Sequence, residues 1–181
     1  MQRLLSASFL LFAALLWSAE SGCCQEAKLT EYQIKAAMVF NLAKFTSWPD
    51  TAFERSADSI IIGVLGVSRT IELLEKSVEG NRIHGRKVAI KHIDENTDAP
   101  DCHILFVGSS TDETITDIID AFSGISVLTI SECSKFADKG GMIELTIKDN
   151  KVRFIINLKS IKKSGLAVSS QVLKLAEIVQ E

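Results

Sequence analysis

The chain has 181 residues, with 20 basic against 23 acidic side chains and a formal net charge of −3. That mild acidity offers no basic stripe to neutralise phosphates and argues against nonspecific nucleic-acid binding. Of the four cysteines, only Cys102 and Cys133 lie beyond the N-terminal stretch, too few for a disulfide scaffold, so the core must come from packing.

The N-terminus reads as a secretory signal peptide. Arg3 is followed by an almost unbroken apolar run, Leu4 to Trp17, and then by the small and polar residues Ser18, Ala19, Ser21 and Gly22. The run is shorter than the ~20 residues needed to span a bilayer. Ala19-Glu20-Ser21 fits a small-x-small cleavage pattern, so residues 1–21 are expected to be removed and residues 22–181 to form one α/β domain in the periplasm. Cys23 near the cut leaves lipoprotein anchoring as the alternative, although Glu20 stands where lipoprotein processing prefers an aliphatic residue.

The first predicted element is a helix over about 31–45, with Thr30 and Gln33 as a capping box and Leu29 and Ile34 as a staple. Ile34, Ala37, Met38, Leu42 and Phe45 fall on one face, while Val39 and Phe40 extend the apolar surface to a second. Trp48-Pro49 ends it. Ile60–Leu65 is a β-branched run expected to be a covered strand, followed by a helix over 69–78 and a strand over 87–93. A strand over 104–107, a helix over 112–122 and a strand over 127–130 continue the alternation, which predicts a mostly parallel sheet with helices on both faces. Beyond it, 142–147 and 152–156 alternate around Asp149-Asn150 as a β-hairpin. In that register Ile143, Leu145 and Ile147 share a face with Val152, Phe154 and Ile156, and a helix over about 170–179 closes the chain.

No catalytic constellation is legible. Gly-x-Ser-x-Gly, His-Glu-x-x-His and Cys-x-x-Cys are absent, and His84, His92 and His103 form no ligand set, so neither an enzyme, a metal nor a cofactor is expected. Asp112, Glu113, Asp117 and Asp120 read as the soluble face of a helix, and Lys159, Lys162 and Lys163 as a solvated face. Gly66-Val67-Ser68 and Gly108-Ser109-Ser110 follow predicted strands, where a parallel sheet would present a ligand. For Gly66 a tight turn is favoured over a phosphate cradle.

Two long segments carry a resemblance. Residues 32–49, from Tyr32 through Phe45 to Trp48-Pro49, look like the N-terminal helix signature of the YfiR family of periplasmic proteins. Gly140-Gly141-Met142-Ile143-Glu144-Leu145, the run Arg153–Leu158 and the run Gly165–Ala176 resemble the same family in order, and Cys102–Val107 resembles its central strand. The resemblance implies a non-enzymatic regulator that binds the periplasmic part of an inner-membrane diguanylate cyclase and holds it inactive, and it implies self-association as a homodimer. The disulfides of the family's namesake have no counterpart among Cys102 and Cys133, which the strand order places at opposite sheet edges. Phe45 and Trp48 are either core residues or partner anchors. The rival reading is a periplasmic small-ligand sensor or carrier using Gly66, Ser68, Ser109 and Ser110.

Overall fold

The computed structural model describes residues 21–54, 56–93, 101–108 and 112–179. The expected signal peptide lies outside the described residues except for Ser21, as do Ser109 and Ser110.

Helix α1 spans Ser21–Lys44. It therefore runs through Thr30, which is interior to the helix and not its expected N-cap, because residues 25–33 contain no glycine or proline to stop a helix already held by its packed C-terminal half; the Leu29 side chain of the expected staple lies outside the described residues. The buried side is also turned from the expected one. Ala36, Val39, Phe40, Leu42 and Ala43 enter the core, whereas Ile34 and Phe45 are each 41% exposed. The apolar residues over 34–45 spread across more than one face, so the sequence leaves the core face open and contact with neighbours chooses it.

The strands are β1 Thr46–Ser47, β2 Ser59–Leu65, β3 Arg82–Ile83, β4 Arg86–Ile93, β5 Ile104–Val107, β6 Leu128–Ser131, β7 Ile143–Lys148, β8 Lys151–Ile156, β9 Ala167–Val168 and β10 Glu177–Ile178. A 3-10 turn covers Asp50–Phe53, and helices α2 Arg69–Val78, α3 Asp112–Ala121, α4 Leu158–Lys163 and α5 Ser170–Leu173 complete the chain. Eight strands form one sheet in the order β10-β8-β7-β6-β5-β2-β4-β3, while β1 and β9 make a separate ribbon. The pairs from β4 through β2, β5 and β6 to β7 are parallel, and β3 and β8 join antiparallel. This is the expected mixed α/β sheet.

Alternation sorts the side chains of β2 between the two faces. Ile60, Ile62 and Val64 join Ile71, Leu74 and Val78 of α2 and the buried side of α1 in the larger core. Leu65 joins Leu105, Val107 and the α3 residues Ile115 and Ile118 in the other. The hairpin has the expected register, Ile143 opposite Ile156, Leu145 opposite Phe154 and Ile147 opposite Val152. Asp149 and Asn150 turn it with φ of 52° and 56°, the left-handed pair that a two-residue hairpin loop requires.

The C-terminal region departs most. Helix α4, absent from the sequence reading, is capped by Asn157, whose side-chain oxygen accepts the Ser160 N–H at 3.0 Å. The expected last helix starts at Ser170 but stops at Leu173, and the chain returns as β10 beside β8. The open edge of β8 offers unpaired backbone groups there, with Val179 N–H donating to the Ile156 carbonyl at 3.0 Å. That pairing overrides a helical pattern which would satisfy the backbone equally well.

Candidate functional site

The two ends of the parallel strands carry different chemistry. At the C-terminal end, between the diverging crossovers of β2 and β5, a ligand would be expected at the switch in strand order. Gly66 makes the turn out of β2 with φ of 79°. Ser68 caps α2, its hydroxyl oxygen accepting the Thr70 N–H at 3.1 Å. The Ser68 hydroxyl in turn donates to Glu132, a residue the sequence reading passed over.

Glu132 follows directly from β6 and is the centre of this end. It accepts from Thr70 Oγ1 at 3.1 Å and from Lys35 Nζ at 3.3 Å, while Lys35 also pairs with Glu31 at 2.8 Å. Burial pushes the Lys35 ammonium down, but its hydrogen bond to Glu31 and the charges of Glu132 and Glu31 outweigh that and leave it above the usual lysine value. The chain thus places its own carboxylate at the positive end of α2, where an anionic ligand group would otherwise be favoured. The sequence signal that could have found it is an acidic residue just past a buried strand.

The opposite end is aromatic. His103 is 3% exposed and sits just before β5. Its Nδ1 accepts the Ile61 N–H at 3.0 Å, and its backbone N–H donates to the Ile61 carbonyl at 2.8 Å. Phe53 stacks on the imidazole at 4.7 Å between centroids, and Trp48 meets both rings edge-on. On Phe53 lies the Arg86 guanidinium, 3.8 Å from the ring centroid. Burial holds the His103 ring below its ordinary value, against a backbone group of Ala52 and with the charge of Arg86 adding to the depression. A cleft of about 340 Å³ opens beside this cluster, lined by Thr51, Ala52, Glu54, Asp101, His103 and Ser126 among others.

Phe45 and Trp48, paired in the sequence reading, part company. Trp48 is half-buried, its indole N–H donating to the His103 carbonyl at 3.0 Å. Phe45 projects from the end of α1, fixed by its backbone, whose carbonyl accepts the Ser169 N–H at 2.9 Å. Trp48 is thus tied to the scaffold, and Phe45 is the aromatic available for contact.

The two thiols are free. Cys102 packs against Gly63, and burial pushes its thiol up to about 12. Cys133 lies past the C-terminal end of β6, its Sγ 3.0 Å from the Gly108 carbonyl. Among the described residues no three His, Cys, Asp or Glu side chains gather in a way that would hold a metal, and no helix is long and apolar enough to cross a membrane.

A family model described as YfiR/HmsC-like matches residues 32–177. Among solved structures, a conserved domain protein from Vibrio cholerae O1 biovar eltor is similar with a TM-score of 0.57 and 13% identity, over 81% of this chain and 60% of its own. The ABC domain in complex with L-Trp from Streptococcus pneumonia is similar with a TM-score of 0.52 and 14% identity, over 82% and 60%. The chain therefore spans about 60% of the length of these structures, and at such identity the likeness is one of α/β fold.

Proposed function

Since the chain belongs to the YfiR/HmsC-like family across residues 32–177, we propose that it is a periplasmic regulator that binds the periplasmic part of an inner-membrane diguanylate cyclase and holds it inactive. The family match is the observation that carries this reading. The N-terminal export pattern agrees with it, because such a partner presents its sensory part outside the cytoplasm. Phe45 supplies the contact: a large aromatic, 41% exposed, on rigid backbone at the end of a long helix, is well suited to act as an interface anchor. The domain works through protein contact, as a homodimer, and not by catalysis.

Deleting the gene in its native host should raise cyclic di-GMP, and the tagged protein should capture a membrane cyclase from the envelope. Phe45→Glu should abolish capture while leaving thermal unfolding within a few degrees of the parent. Unchanged cyclic di-GMP together with no cyclase recovered sinks the reading.

A small-ligand sensor is the second reading, favoured by the L-Trp complex of a similarly folded domain. Its ligand would lie at the loops of Gly66, Ser68, Ser109 and Ser110. It would have to displace Glu132 from Ser68 or bind beside that pair. Glu132→Gln would then alter ligand affinity, as read by calorimetry.

A further inference from the structure

We propose that His103 is an acid-sensitive latch: its neutral imidazole, stacked on Phe53, clamps the Asp50–Phe53 segment to the N-terminal edge of the sheet, and protonation releases that segment. The proposal deepens the regulatory reading, because the segment follows closely on Phe45, but the latch stands on its own geometry.

The Ile61 N–H donates to His103 Nδ1 at 3.0 Å, so Nδ1 is the unprotonated nitrogen and the single ring proton lies on Nε2. That Nε2 is buried and makes no well-formed hydrogen bond, although a backbone group of Ala52 favours a proton on the ring. A second proton therefore has only one place to go, Nδ1, where it would face the Ile61 N–H donor to donor. The ring would have to swing away, and Phe53 is stacked on it at an interplanar angle of 23°. The backbone bond from the His103 N–H to the Ile61 carbonyl and the Trp48 indole bond to the His103 carbonyl do not involve the ring, so β2 and β5 stay paired and Trp48 stays anchored while the Phe53 layer loosens.

The surrounding charges do not rescue the protonated form. Arg86 of β4 faces the cluster across Phe53 and opposes a second positive charge; Asp101, two residues upstream, favours it. Glu54 lines the same cleft beyond the 3-10 turn. Burial outweighs the favourable contributions, and the ring is held below 6.5. With the folded value depressed, the unfolded or released form binds more protons below the ordinary histidine range. The clamped state keeps its full stability above about pH 6.5 and loses it as pH falls, by at most roughly tenfold in population per pH unit. The neighbouring strand β1 is held by its antiparallel pairing with β9, which does not involve His103. Release should therefore begin after β1 and not at it.

Amide hydrogen exchange followed by mass spectrometry between pH 7.5 and 5.0, corrected for intrinsic rates, tests this without any partner. Protection across Asp50–Phe53 should fall as pH drops below 6.5, by up to about tenfold per pH unit, while peptides from β7 and β8 stay unchanged. In His103→Asn the Oδ1 can stand in for Nδ1 as acceptor and has no proton to gain, so protection should be flat. Unchanged protection in the parent protein, or the same loss in His103→Asn, overturns the latch. Should that variant not fold, the ring ¹⁵N shifts of the parent decide. A midpoint below 6.5 that coincides with the loss of protection supports the latch; protonated Nδ1 at pH 7.5 refutes it. Loss of the latch would leave cyclase capture unaffected at neutral pH, so the two readings fail separately.

Discussion

The Trp48 indole N–H and the His103 carbonyl, 55 positions apart in the chain, are joined by a 3.0 Å hydrogen bond that fastens the residues after α1 to the start of β5. The same carbonyl also accepts the Leu128 N–H at 2.9 Å, so it keeps one partner when the indole is removed. Trp48→Phe should therefore cost about 1 kcal/mol, the net value of one hydrogen bond. Trp48→Ala also strips the edge contacts to Phe53 and His103 and should cost about 3 kcal/mol, the low end for a large aromatic because Trp48 is half-buried. Urea midpoints at constant slope give both numbers.

Glu132 binds α1, α2 and the end of β6 into one unit. Glu132→Ala leaves Lys35, 7% exposed, with Glu31 as its remaining partner and deprives Ser68 and Thr70 of their acceptor. A loss of about 3 kcal/mol is expected, and Glu132→Gln should lose less because an amide oxygen still accepts from the hydroxyls. The pH dependence has a definite sign. The folded value of Lys35 is raised, so its stabilisation is complete below the ordinary lysine value of 10.5 and is lost as pH rises through the higher folded value. Alkaline melting curves should show that loss in the parent and lack it in Lys35→Met.

Two glycines are expected to differ sharply. A Cβ on Gly141 would lie 2.2 Å from the ring of Phe136, which is wholly buried and has nowhere to turn. A Cβ on Gly63 would meet the Cδ1 tip of Ile93 at the same 2.2 Å, but that tip can rotate away. Gly141→Ala should destabilise by about 3 kcal/mol and Gly63→Ala by about 1 kcal/mol. Thermal unfolding of the two variants side by side checks the order.

The cysteines should label unequally. Cys102, buried and pushed up to about 12, has almost no thiolate at neutral pH, whereas Cys133 is half-buried at a loop. Native alkylation at pH 8 should modify Cys133 first, and both should label after denaturation without reductant. A peptide joining residues 102 and 133 in the unreduced map would refute the sheet order proposed for their separation.

What was legible in the sequence is what short-range physics dictates. The helix over 69–78 and the strand over 104–107 have the expected bounds, because amphipathic period and β-branched runs are local signals. The hairpin register follows from Asp149-Asn150, since turn geometry and alternation leave little freedom. Helix α4 was not legible, since its six residues are too few to show a period.

Tertiary structure decided the rest. Glu132 reaches Ser68 across 64 positions and Lys35 across 97, and no local pattern encodes a pairing at that separation. The side of α1 that turns inward, and with it whether Phe45 is core or surface, depended on where α2 and the sheet lie. The helix predicted to close the chain gave way to β10 for the same reason. By itself the sequence set where the longer periodic elements form, because backbone and neighbouring side chains act within a turn or two; the short C-terminal elements and which faces meet were settled by burial and edge pairing, which count only after distant segments have come together.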